Sequence, residues 1–177
     1  LEVLGLRTMD SLHQKIAEGK GLEVILISEA FHALNLGKIA EEIASRPNVK
    51  VVAISGPSGS GKTTLSERLK IQLQVCGKNP MTLAMDNYFV DRENTPRDEE
   101  GNYDFEVIEA LELDMLSGHL GRLLAGEEVV IPQFDFIEGK KFPGKRITLK
   151  PGDILIMEGF HVRTERIRTS SPRRSGT

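Results

Sequence analysis

The sequence predicts an α/β fold in which a parallel sheet is covered by helices on both faces, giving three α/β/α layers. Three observations predict it. Short continuous apolar runs at 49–55, 81–85 and 152–157 lack the alternation of half-exposed strands, as expected of parallel strands buried on both faces. Stretches with helical spacing lie between them. A glycine-rich loop, GPSGSGKTT at 56–64, joins the first run to the first of those helices.

Residues 1–48 read differently from the rest. MDSLHQKIAEGKG has an Asp or Ser cap and a Gly stop, which predicts a short helix. Leu36, Ile39, Ala40 and Ile43 then form a helical stripe that ends before Pro47. Val24–Ile27 fits strand or helix. This piece is expected to be the end of an upstream domain plus a connecting helix. VKVVAIS at 49–55 opens the second unit, expected to run over 49–161. After the glycine loop, Leu65, Leu69, Leu73 and Cys76 share one helical face that Gly77 ends. MTLAM is the second strand. Residues 86–104 are polar and acidic, a long loop of the sort that usually carries function. EVIEALELDMLSGHLGRLLAGE predicts two helices broken near Ser117-Gly118. EEVVIPQFDF and KRITLK flank IEGKKFPGK and predict a hairpin. GDILIMEG is the third strand, and residues 162–177 read as a disordered Arg/Ser-rich tail.

Charge and composition narrow the classes of function. Of 177 residues, 39% are hydrophobic and 28% charged, as in ordinary globular domains. The net charge of −3 conceals an asymmetry, because His161–Thr177 hold five Arg and one Glu. Residues 1–160 therefore carry 18 basic and 25 acidic side chains, a net of −7, which disfavours a nucleic-acid partner. No apolar run approaches the ~20 residues of a membrane helix. Cys76 is the only cysteine, and LEVLGLRTMDSLHQ has no secretory pattern, so a reducing cytoplasm is the expectation. His13, His32, His119 and His161 show no metal spacing.

Gly56, Gly61, Lys62 and Thr63 satisfy G-x-x-x-x-G-K-[ST], with a strand before and a helix after. Glycines let the backbone curl so that N–H groups point at an anion, and the helix N-terminus adds its dipole. Gly56, Ser58, Gly59, Ser60, Gly61, Lys62, Thr63 and Thr64 are thus the expected ATP-phosphate residues. Lys62 is expected to reach the β- and γ-phosphates, and the Thr63 hydroxyl to ligate Mg²⁺. The fold expected is accordingly of the P-loop NTPase type. No N-K-x-D tetrad is present, which excludes a guanine-reading GTPase.

Asp86 follows the second strand and Glu158 ends the third. Ligands of open parallel sheets sit beyond the carboxyl ends of strands, so both acids are predicted on the rim that carries the phosphate loop. A lone acid there usually just caps the next element; two beside a phosphate loop point to chemistry. Glu158 suits Mg²⁺, which takes oxygen ligands. Asp86 suits a general base for an acceptor hydroxyl.

GPSGSGKTT, MDNYFVDRENTPRDEEGNYDFE, IPQFDF and ILIMEGFH together resemble the uridine kinase and phosphoribulokinase group of P-loop kinases. The closer resemblance is to a bacterial uridine-kinase-like branch with an upstream region similar to part of threonyl-tRNA synthetase, and it spans about residues 10–161. It implies ATP-dependent phosphorylation of a nucleoside 5′-hydroxyl, with Asp86 matching the family's catalytic Asp. It further implies that Tyr88 lies near the nucleoside, Asp104 holds the ribose hydroxyls and Phe134 packs on the base. Two departures stand out. Gly139 occupies the region where such kinases carry a His against the pyrimidine. After EGFH the family continues into further strands and an arginine-bearing lid, whereas VRTERIRTSSPRRSGT follows here, where Arg163, Arg166 and Arg168 are the available arginines. A C-terminally truncated kinase is therefore expected, with three strands of the usual five and one side of the phosphate-loop strand open. The upstream piece, a partner chain or a second copy of this chain would cover that edge. The alternative is an ATP-binding fragment with little transferase activity.

Overall fold

A computed structural model describes residues 5–57 and 59–159. Ser58, His161 and the segment 162–177 lie outside them. The order of elements is α1 (Met9–Ala17), α2 (Gly21–Ser45), β1 (Val51–Ser55), α3 (Lys62–Val75), β2 (Pro80–Ala84), α4 (Leu113–Leu124), β3 (Val129–Asp135), β4 (Lys140–Ile147) and β5 (Ile154–Gly159). Single 3₁₀ turns form at Met85–Tyr88, Arg92–Asn94 and Ile108–Ala110.

The three buried runs form one parallel sheet in the order β1-β5-β2. β5 is central, and Ile154, Leu155, Ile156 and Met157 are each at most 2% exposed. Alternation along β5 divides the core. Ile154 and Ile156 join Ala40, Ile54, Leu69 and Leu73 under α2 and α3. Leu155 and Met157 join Leu83, Met85, Leu116, Leu120 and the hairpin residues Val129, Ile131 and Phe134. Each such side chain contributes about 1.5–3 kcal/mol when fully buried. The predicted three-layer α/β/α arrangement follows from this division.

Several local expectations are corrected. Val24–Ile27 lies inside the 25-residue helix α2, so it supplies no strand to the sheet. The cap of α1 is Thr8 rather than Asp10 or Ser11; Thr8 and Ser11 bond each other's backbone reciprocally. The break near Ser117-Gly118 does not occur, because α4 runs through it. Its apolar face, Leu116, Leu120 and Leu123, is fully packed, and that packing outweighs the roughly 1 kcal/mol cost of a mid-helix glycine. β4 begins at Lys140, so the hairpin turn is only residues 136–139. There Asp135 Oδ1 accepts from the Ile137 and Glu138 amides. The expected hairpin is otherwise present, with β3 and β4 antiparallel. Among the described residues no strand pairs with the outer edge of β1, and no helix is long and apolar enough to cross a membrane.

Candidate active site

Register brings the candidate residues together. Ile54 of β1 and Ala84 of β2 both lie opposite Glu158 of β5, so the three strands end level. The phosphate loop, the turn bearing Asp86, and Glu158 therefore emerge on one rim, as open parallel sheets require.

In the loop, Gly59 and Gly61 take φ of 70° and 82°, the left-handed region that side chains disfavour. At Gly56 the constraint is milder: a Cβ there would meet Ser60 Oγ at 2.8 Å, and that exposed hydroxyl would have to rotate aside. α3 begins at Lys62, and its cap, Gly61, offers no side chain to the first-turn amides. Those amides and the helix dipole face the loop, a ready anion site. Lys62 Nζ donates to the Pro57 carbonyl at 2.7 Å, across the loop it would serve. Ser60 and Thr64 are exposed on the same segment.

Behind the loop, Thr63 Oγ1 lies 3.4 Å from Glu158 Oε1. Ser66, one turn further along α3 and 1% exposed, donates to Glu158 Oε2 at 2.7 Å. Sequence reading passes over Ser66; the available signal was its i+3 spacing from Thr63, which places both hydroxyls on one helical face. Asp86 is exposed as a residue. Burial of its carboxyl nevertheless holds it above the ordinary carboxylate range; Lys62 opposes the rise and Glu158 adds to it. Lys62 and Glu158 thus both act electrostatically on Asp86, and Thr63 touches the group through Glu158. The oxygen donors at Thr63 and Glu158 fit Mg²⁺, a hard cation that binds through one or two carboxylates, waters and phosphate oxygens. Among the described residues no group of three or more His, Cys, Asp or Glu could hold a metal, so any such ion also relies on nucleotide oxygens.

The resemblance-based acceptor residues fare differently. Tyr88 is fully buried, its hydroxyl 3.1 Å from His119 Nδ1, because the turn at Met85–Tyr88 directs the ring under α4. Burial also pushes its phenol well above the usual range. Phe134 is 4% exposed and packs edge-on against Phe89 and Phe136. Neither ring offers a face to a ligand in this structure. Both burials have the same cause: the hairpin closes over the β2 turn, so inward residues of both become core. Asp104 lies in the long loop and accepts from the Glu106 amide at 2.8 Å. Among the described residues no hydrogen bond or ion pair ties it to Asp86, Lys62 or Glu158. His119, expected to be a surface or packing residue, is the half-buried partner of Tyr88; burial and Arg122 lower its pKa.

Gly139, the first departure, has a steric reason to be glycine. Its φ is 69°, and a Cβ there would meet Arg92 Cβ at 2.6 Å. Arg92 donates to the Phe136 and Ile137 carbonyls and so binds the hairpin turn to the long loop. Lys141 adds a second tie, donating to the Phe89 carbonyl at 2.7 Å and to Glu112 at 2.6 Å. Between the hairpin and β2 lies a cavity of about 280 Å³ lined by Thr82, Ala84, Asn87, Gln133, Lys145 and Glu158, among others.

Residues 51–169 match the Phosphoribulokinase / Uridine kinase family. The chain is 30% identical over 109 residues to a uridine kinase of Halobacterium salinarum, covering 62% of this chain and 47% of that protein. It is 31% identical over 112 residues to one from Chlamydia pneumoniae, covering 63% and 49%. The chain spans about half the length of the curated relatives it matches. Its fold is shared with a possible uridine kinase from Bacillus stearothermophilus, at a TM-score of 0.64 and 23% identity, over 75% of this chain and 73% of that one.

Proposed function

Because the chain belongs to the phosphoribulokinase/uridine kinase family, we propose that it takes part in ATP-dependent phosphorylation of a nucleoside 5′-hydroxyl, uridine or cytidine being the first candidates. One observation carries the proposal: a phosphate loop, a carboxyl held above its ordinary range and a hydroxyl–carboxylate pair share a single rim beside a cavity of mixed polar and apolar lining. The α3 N-terminus and loop amides hold the triphosphate. Lys62 leaves the Pro57 carbonyl to meet the β- and γ-phosphates. Asp86 accepts the proton of the acceptor hydroxyl as its oxygen attacks phosphorus, and the γ-phosphoryl group passes to that oxygen with ADP departing. The raised carboxyl makes Asp86 a better base than an ordinary aspartate. Thr63 and Glu158 would hold Mg²⁺, which supplies charge neutralisation at the β- and γ-phosphates. The cavity between β2 and the hairpin is the place for the acceptor, with Asp104 as a second contact for vicinal hydroxyls.

A second reading is an ATP-binding module with little transfer. The burial of Tyr88 and Phe134 favours it, since these rings do not present an acceptor surface. Binding of a fluorescent ATP analogue, with and without Lys62→Ala, and ADP release with uridine or cytidine separate the two. Lys62-dependent binding with nucleoside-stimulated ADP release supports the kinase. Lys62-dependent binding with no such release supports the module. Binding indifferent to Lys62 refutes both.

A further inference from the structure

We propose that Ser66 is a positioning residue that sets the divalent-cation preference of the Thr63–Glu158 site. The proposal rests on the kinase reading above, and on a hydrogen bond which that reading does not use. Among the described residues Ser66 is one of two polar residues in the buried set, at 1% exposure, and it sits in the first half of α3. A serine in mid-helix commonly returns its hydroxyl to a carbonyl one turn back. Here that acceptor is Thr63 O at 3.0 Å, and Glu158 Oε2 competes at 2.7 Å. The hydroxyl has one proton to give. The carboxylate is the nearer and the charged acceptor, and charge-assisted bonds of this length are about twice as strong as neutral ones. Thr63 O keeps its helical amide partner, so nothing is lost there.

The consequence is an asymmetric carboxylate. Oε2 is held by Ser66 on the buried side, while Oε1 faces the Thr63 hydroxyl at 3.4 Å. Oε1, with only the longer Thr63 contact, is the freer oxygen for a cation. Mg²⁺ demands near-octahedral geometry and takes such single oxygens with waters, whereas Ca²⁺ tolerates irregular coordination and readily accepts both oxygens of one carboxylate. Ser66 therefore favours Mg²⁺ by competing for the second oxygen and orienting the carboxylate, in the manner of other outer-layer groups that orient metal ligands.

The test uses Mn²⁺ paramagnetic resonance on the full chain loaded with a non-hydrolysable ATP analogue, with Mg²⁺ and Ca²⁺ as competitors. Ser66→Ala should weaken Mg²⁺ by at least about 10-fold, leave Ca²⁺ much less affected, and leave metal-free analogue binding unchanged. Ser66→Cys keeps the volume with a weak donor, should behave like Ser66→Ala, and serves if the alanine variant does not fold. An unchanged Mg²⁺/Ca²⁺ ratio overturns the proposal, as does equal loss of both ions, which would mark a merely structural serine. If the unsubstituted chain does not bind the analogue, the kinase reading itself fails and this proposal falls with it.

Discussion

Gly159→Ala is the substitution that most directly tests how the fold builds the rim. Gly159 ends β5, one residue beyond Glu158, and lies against Met85, one residue before Asp86. A Cβ at Gly159 would stand 2.7 Å from Met85 Cβ, 2.9 Å from its Sδ and 3.0 Å from its Cγ. Carbon atoms rest at about 3.5–4.0 Å, so the Met85 Cβ must retreat by about 1 Å. Sδ and Cγ can rotate aside, but Cβ moves only with the backbone of the Met85–Tyr88 turn. Met85 is 1% exposed between Leu83 and the β5 residues, which leaves little slack. Overpacking of this kind costs about 1–3 kcal/mol. Asp86 shifts with the turn, and a displacement of about 1 Å at a catalytic group can cost about 10²-fold in rate. Urea unfolding reads the first effect, and nucleoside-dependent ADP release, compared with the unsubstituted chain, reads the second. Gly118→Ala is the control, because no neighbouring atom lies within 4 Å of its added Cβ in α4. That variant should gain up to about 1 kcal/mol from helix propensity. If Gly159→Ala unfolds at the same urea concentration and transfers phosphate at the same rate, the argument that glycine admits the Asp86 turn is wrong.

Two further outcomes follow from the site. A base works deprotonated, so transfer should be lost as pH falls through the raised pKa of Asp86, above its ordinary 3.8. Glu158→Gln removes one cause of the rise and should move that acidic limb to lower pH even where the plateau drops; a limb that stays put would detach Asp86 from the proton transfer. Tyr88→Phe removes the hydroxyl that meets His119 and should cost about 1 kcal/mol in urea unfolding. It should leave the acceptor KM unchanged, and a several-fold rise would return Tyr88 to the acceptor site.

Much of this was legible without coordinates, because the signals are local. An uninterrupted apolar run reports a strand buried on both faces, and a glycine-rich turn before a helix reports an anion site. Hence the three sheet strands, the hairpin, the loop from Gly56 to Thr64 and the two strand-end acids could be read from residue order. Where two local rules compete, sequence alone is undecided. Val24–Ile27 satisfies both periodicities, and helix α2 forms because its far end is anchored by Leu36 and Ala40. Ser117-Gly118 carries a weak breaker, overruled by the Leu stripe of α4. Partners far apart in the chain leave no local trace at all. Ser66 and Glu158 are 92 positions apart, and Tyr88 and His119 are 31 apart. The sequence by itself determined where a glycine-rich turn meets a helix N-terminus, and that the acids stand on the same rim. Only the tertiary structure decided which way each side chain faces: Tyr88 and Phe134 inward to the core, Ser66 onto the carboxylate. Side-chain direction depends on which surfaces close over one another, and that closure is a property of the packed whole.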